Sequence, residues 1–142
     1  MQSPDPNLAV LVSRQAAERP QFTALTFVNV GRDGALEDET RTFAQLRDNA
    51  AALAGQLGVL GIAKGGTFAI MMANYPAFVE SMLAAAWLGA AFVPIDPRVV
   101  GEKLAYMLQF SECEGVVCTA DCAAAISQLG APAGKLKWLI VV

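Results

Sequence analysis

Between Gly66 and Ile95 the chain carries a single charged residue, Glu80. A stretch so poor in charge has to be buried on nearly every side, and that limits what the rest of the chain can build around it. It is not a membrane span. Its longest uncharged part, residues 81–95, contains Gly89 and Pro94 and falls short of the ~20 apolar residues needed to cross a bilayer. The stretch divides instead into strand, helix and strand. Thr67-Phe68-Ala69-Ile70-Met71-Met72 reads as a strand, Pro76 suits the first turn of a helix that runs to Gly89, and residues 91–95 read as a second short strand. The helix has Phe78, Val79, Met82, Leu83, Trp87 and Leu88 distributed around it, and a helix without a polar face is covered on both sides. Strands that are apolar throughout belong to parallel sheets with both faces covered.

The downstream residues extend this alternation. Residues 100–111 predict a helix with Val100, Leu104, Met107 and Leu108 on one side. Residues 115–119 follow as a strand, 122–129 as a short helix and 138–142 as a last strand with no helix after it to cover it. The chain therefore predicts a three-layer α/β fold, a mostly parallel sheet with helices on both faces. Upstream, residues 8–18 predict a helix that ends before Pro20, and 23–30 a strand. Residues 31–39, with Gly31, Asp33 and Gly34, suit a hairpin loop, and 40–42 a short return strand. Thr42-Phe43-Ala44-Gln45 matches a capping box, and Phe43, Leu46, Ala50, Leu53, Leu57 and Leu60 form one apolar stripe on the helix it starts. Gly58 and Gly61 offer stops. Residues 1–42 are thus a helix-and-hairpin region, and 43–142 the α/β region.

Composition excludes several classes of function. Charged residues make up 16% of the 142, below the ~25% usual for soluble domains, while 55% are hydrophobic. There is no histidine, so no Ser-His or Cys-His nucleophile and no His-ligated metal. Thirteen acidic against ten basic residues leave no electrostatic footprint for nucleic acid. The first ten residues lack the charged and apolar regions of a signal peptide. Cys113, Cys118 and Cys122 lack zinc-site spacing and predict buried free thiols in a reducing cytoplasm.

Gly61-x-x-Lys64-Gly65-Gly66-Thr67 has the glycines of a phosphate loop in the wrong place. A phosphate loop follows a strand and opens a helix, whereas these glycines follow a helix and open a strand. Asp96-Pro97-Arg98 follows a strand and precedes a helix, at the carboxyl end of the sheet where ligands of open α/β folds bind. Arg98 there is a candidate cation for a phosphate. The simpler reading, favoured by spacing alone, has Asp96 capping a turn and Arg98 pairing with Glu102 on the next helix. Asn74-Tyr75-Pro76 reads as a helix entry and Met71-Met72 as core filling.

Taken in order, these segments resemble the adenylate-forming superfamily. Thr42-Phe43-Ala44-Gln45-Leu46 resembles its first core motif, and Ala86-Trp87-Leu88-Gly89-Ala90-Ala91-Phe92-Val93-Pro94-Ile95-Asp96-Pro97 its second. Leu60-Gly61-Ile62-Ala63-Lys64-Gly65-Gly66 and Asn74-Tyr75-Pro76-Ala77-Phe78 stand at the family's intervening positions, with Gly66 where the family has Asp. Arg98-Val99-Val100-Gly101-Glu102-Lys103-Leu104-Ala105-Tyr106-Met107-Leu108 is similar to the corresponding run of acyl-CoA ligases, near the fatty-acyl and crotonobetaine/carnitine branch.

The resemblance implies that residues 1–142 are the N-terminal subdomain of an ATP-dependent acyl-CoA synthetase, a piece of a larger fold. Its parent would use Mg, ATP and CoA to activate a carboxylic, fatty-type acid. It implies no catalytic residue and no bound cofactor in this piece, because the family's phosphate loop and catalytic lysine lie downstream. For Arg98 it implies a contact to the CoA nucleotide phosphates. The partner it implies is the remainder of the ligase. The apolar composition further predicts self-association. Two other readings are a stand-alone nucleotide- or small-ligand-binding α/β module and a protein-interaction module.

Overall fold

A computed structural model describes residues 7–130 and 134–142. Residues 1–6, part of the stretch read for a signal peptide, lie outside the described residues. Helix α1 (Leu8–Glu18) starts at Asn7, whose side chain accepts the Val10 amide, and is followed by β1 (Thr23–Val30) and β2 (Leu36–Thr42). Then come α2 (Phe43–Val59), β3 (Thr67–Met71), α3 (Pro76–Leu88) and β4 (Ala91–Ile95). The chain continues through α4 (Gly101–Phe110), β5 (Gly115–Cys118), α5 (Ala120–Ser127) and β6 (Trp138–Val141).

The four later strands form one parallel sheet in the order β4-β3-β5-β6. Alternation along β3 divides the core. Phe68 and Ile70, with Met72 just beyond the strand, join Val117 under Ala54 and Leu57 of α2 and Ala84 and Ala85 of α3. Ala69 and Met71 face the opposite side with Val116 and Cys118, under Leu104 and Leu108 of α4 and Cys122 and Ile126 of α5. Helices therefore cover both faces, as the uncharged strands require. A third cluster joins Leu46 and Ala50 of α2 to Leu83 of α3, with Val12 of α1 and Leu25 of β1 packed on it. That cluster is why α3 is apolar all round: one side meets the sheet and another meets α1 and α2. Only near its end does it open, where Trp87 is 41% exposed.

The capping box at Thr42 is present. Its hydroxyl accepts the Gln45 amide, and the Gln45 side chain accepts the Thr42 amide at 2.8 Å. Beyond shifts of a single residue at β3, α4, β5 and β6, three features differ from the sequence reading. The return strand begins at Leu36 rather than residue 40, pairing Val30 with Leu36, so the loop is only residues 31–35, with Gly34 at φ +81°. Glu37, Asp38 and Glu39 lie within this strand because the two-stranded ladder stands largely in water, where charge costs little and hydrophobic alternation is not needed. Helix α5 begins at Ala120, since extended Thr119 already accepts the first helical bond from Ala123. Leu60 lies just past the end of α2 and is partly exposed, whereas Ile62, beyond the Gly61 turn, is buried.

Candidate functional site

In the order β4-β3-β5-β6 the chain leaves β3 toward one neighbour and later returns to the strand's other side. The helix after β3 lies on one face of the sheet and the helix after β5 on the other. The crevice beyond the carboxyl ends of β3 and β5 is thus a topological switch point, where doubly wound folds bind ligands. A cavity of about 400 Å3 lies there, lined by Tyr75 and Pro76 after β3, Thr119 after β5, Val142 after β6, and Glu39, Arg41 and Glu80.

Arg41 reaches this crevice from the hairpin. Its Nε donates to Glu80 Oε1 at 3.0 Å, its Nη2 to Glu39 Oε1 at 2.7 Å and its Nη1 to the Thr40 carbonyl at 3.0 Å. Asn49 of α2 donates to the same Glu80 oxygen at 2.8 Å. Partial burial works against the Arg41 charge, but the hydrogen bonds it donates to Glu80 and Glu39, with the attraction of their charges, outweigh burial and raise the guanidinium above its ordinary pKa. The one charge in the apolar stretch thus has its cation, and the pair ties the hairpin to α3. The tie is extended by Phe22, which stacks on Phe43 at 5.9 Å beneath the Arg19 guanidinium.

Arg98 lies at the carboxyl end of β4 and is not among the residues lining that cavity. Its side chain is 88% exposed and forks onto Asp96, Nη2 to Oδ2 at 2.6 Å and Nε to Oδ1 at 3.0 Å. Its backbone amide also donates to Asp96 Oδ1 at 2.9 Å. The turn-capping role read for Asp96 is therefore present. The ion pair read between Arg98 and Glu102 is replaced by one to Asp96, because the turn at Pro97 folds the guanidinium back onto the nearer carboxylate. The Arg98 hydrogen bonds hold the Asp96 carboxyl well below the usual carboxylate range, and Asp96 raises Arg98 in return.

Among the described residues no three His, Cys, Asp or Glu side chains are placed to hold a metal ion. The three cysteines are free and buried. Burial, with a smaller contribution from Cys122, pushes the Cys118 thiol up to about 11, and burial raises Cys113 against the opposing hydrogen bond of Ser111. The Gly61–Gly66 turn lies at the opposite, amino edge of the sheet. There the Gly65 amide donates to the Gly89 carbonyl and the Gly66 amide to Ala63. A side chain at Gly66 would bring its Cβ within 3.0 Å of the Ala63 carbonyl, which accounts for glycine in this turn.

The switch-point cavity was not read from the sequence. Tyr75 read as a helix entry and Arg41 was not singled out, because neither the strand order nor the hairpin's docking is local information. Glu80 was the available signal: a lone acid in an apolar stretch requires a cation brought from elsewhere.

A family model described as "AMP-binding enzyme" matches residues 12–141. Gramicidin S synthase 2 of Brevibacillus brevis is 31% identical over 105 residues, 74% of this chain and 2% of that protein. The fold superposes on a fatty acyl CoA synthetase of Mycobacterium tuberculosis with a TM-score of 0.81 and 29% identity, covering 96% of this chain and 26% of that one. The inhibitor-bound N-terminal domain of FACL13 from the same organism matches at a TM-score of 0.80 and 28% identity, over 96% of this chain and 33% of that one. The chain thus spans about a third or less of each relative. No helix among the described residues is long and apolar enough to cross a membrane.

Proposed function

The chain belongs to the AMP-binding enzyme family and is part of an adenylate-forming module, and from that membership we propose that residues 1–142 are the N-terminal subdomain of an ATP-dependent acyl-CoA synthetase. The observation that carries this reading is the likeness to the fatty acyl CoA synthetase fold over 96% of the chain. In the reaction proposed for the parent, a carboxylate oxygen attacks the α-phosphorus of Mg-ATP and the bond to pyrophosphate breaks. The CoA thiolate then attacks the acyl carbon of the adenylate, and AMP leaves.

The residues described here do not fit an ATP phosphate cradle. The glycine turn at 61–66 faces the amino edge of the sheet, and Arg41 at the carboxyl edge is bridged to Glu39 and Glu80. No phosphoryl step is assigned to this chain. Its share of the work is to frame one wall of the switch-point crevice, with Arg41–Glu80 fixing the hairpin beside it. For Arg98 we propose a contact to a CoA phosphate, supported by its exposed guanidinium at the carboxyl end of a parallel strand. In the full ligase Arg98→Ala raises KM for CoA and leaves that for ATP unchanged; an equal rise in both removes the assignment. The free buried thiols support a cytoplasmic setting.

The test of the main reading is acid-dependent ATP–pyrophosphate exchange by the 142-residue chain across a panel of carboxylic acids. No exchange is expected, and substantial exchange overturns the reading. Saturable binding of ATP or CoA to the isolated chain in calorimetry would favour a stand-alone binding module instead. A second reading, an adenylation domain of a peptide synthetase, is favoured by the likeness to gramicidin S synthase 2. The two separate on whether the full protein transfers its acyl group to CoA.

A further inference from the structure

Given the CoA contact proposed for Arg98, on which this rests, we propose that Asp96 is the positioning residue for that contact. Its carboxylate holds one edge of the Arg98 guanidinium and so fixes the other edge as the one that takes a phosphate. A guanidinium carries five N–H groups, one on Nε and two each on Nη1 and Nη2. Asp96 takes the Nε hydrogen on Oδ1 at 3.0 Å and one Nη2 hydrogen on Oδ2 at 2.6 Å. The two N–H groups of Nη1 and the second of Nη2 remain, and among the described residues none of them has an acceptor. They lie along the Nη1–Nη2 edge, whose parallel donors match two oxygens of one phosphate. The ion pair therefore does not use up Arg98. It leaves one bidentate edge and selects which.

The frame that holds the pair is local. Ile95, the last residue of β4, is buried, and Val99 packs against the same core cluster beneath α4 and α5. Between these two anchors Pro97 has its φ set by its ring. The Val99 amide donates to the Asp96 carbonyl at 3.0 Å, and the Arg98 amide to Asp96 Oδ1 at 2.9 Å. Residues 95–99 thus fix the backbone at Arg98, whatever a longer chain lays over the turn. An arginine side chain is a long rotatable stem that loses freedom when its guanidinium binds. Clamped on Asp96, the stem has lost that freedom before a ligand arrives, which favours binding. The carboxylate also repels a phosphate, but this is the smaller effect, because the cation it neutralises lies between the two anions.

The experiment is steady-state kinetics of the full ligase with CoA and, separately, with pantetheine, which carries the thiol of CoA and none of its phosphates. The decisive variant is Asp96→Asn. Its side-chain oxygen still accepts the Arg98 amide, so the turn keeps its cap. Its NH2 group does not accept from Nη2, so the fork is lost. Asp96→Asn is expected to raise KM for CoA about threefold, the scale of one exposed ion pair, with kcat and KM for ATP unchanged. Arg98→Ala raises it about tenfold or more, and Asp96→Asn added to Arg98→Ala raises it no further. With pantetheine the effect of Asp96→Asn vanishes.

A residue that only caps the turn would leave Asp96→Asn like the unaltered protein, and that result overturns the proposal. A fall in KM for CoA overturns it too, since Asp96 would then be a competitor of the phosphate. So does an equal loss with pantetheine, which places the effect in the fold and not at a phosphate. Failure of the CoA contact itself is distinct: Arg98→Ala then leaves KM for CoA unaltered, and both assignments fall.

Discussion

Gly115 is the position where one added methyl group tests the packing of the whole upper core. Trp138 lies directly over it, since the two residues are register partners on β5 and β6. A Cβ at Gly115 would fall 2.1 Å from Cδ2 and Cε2 of the indole and 2.4 Å from Cε3. Carbon atoms need about 3.5–4.0 Å, so the ring would have to retreat by roughly 1.4 Å or more. It has little room, because its other neighbours include Phe68, 6.3 Å away between centroids and fully buried. Gly115→Ala is therefore an overpacking substitution of the severe kind, with an expected cost of about 3 kcal/mol. For a domain of this size that lowers Tm by about 10 °C. The assay is urea unfolding followed by far-UV circular dichroism, with the single variants Gly115→Ala and Trp138→Ala and the pair together. Trp138→Ala alone loses buried ring area, but it also removes a buried indole N–H that has no hydrogen-bond partner, which offsets part of the loss. In the double variant the clash is gone, so the two effects fall short of their sum by about 2–3 kcal/mol. A Gly115→Ala variant within 0.5 kcal/mol of the unaltered chain refutes the reasoning, and so do strictly additive effects.

Three further outcomes follow from the same physics. Arg41→Ala leaves the Glu80 carboxylate, 14% exposed, with Asn49 as its one partner among the described residues. It is expected to cost about 1–3 kcal/mol and to speed hydrogen exchange across β1 and β2, and pairing it with Glu80→Gln recovers part of the loss. Because the folded state holds the Cys118 thiol up to about 11, its contribution to stability is present in full below the ordinary thiol range. That contribution is lost as pH rises from about 9 to 11; the urea midpoint falls over that window in the unaltered chain and falls less in Cys118→Ala. Thr42→Ala removes the acceptor for the Gln45 amide and lowers stability by about 1 kcal/mol, whereas Thr42→Ser leaves it within a few tenths.

The parts of this fold legible in the sequence were those whose cause is local. The cap at Thr42, the proline that opens α3, the glycine that ends it at φ +66° and the uncharged strands around it all act within a turn or two of their own position. The start of β2 was missed because Glu37-Asp38-Glu39 carries no hydrophobic period. The start of the ladder stands largely in water and imposes none, and pairing with β1 holds it there. The candidate site was missed for a different reason. Asp96 and Arg98 were legible because they end a strand and pair with each other two residues apart. The crevice instead lies between β3 and β5, strands separated in sequence by α3, β4 and α4, and nothing in either strand names the other as its neighbour. What the sequence did carry was an imbalance. Glu80 alone among the residues from 66 to 95 is charged, and a helix buried on two sides cannot keep a carboxylate without importing a cation and a donor. Arg41 and Asn49 are those imports, and they arrive from the hairpin and from α2. An unpaired charge in an apolar stretch therefore predicts a long-range contact even where the sequence does not say which residue makes it.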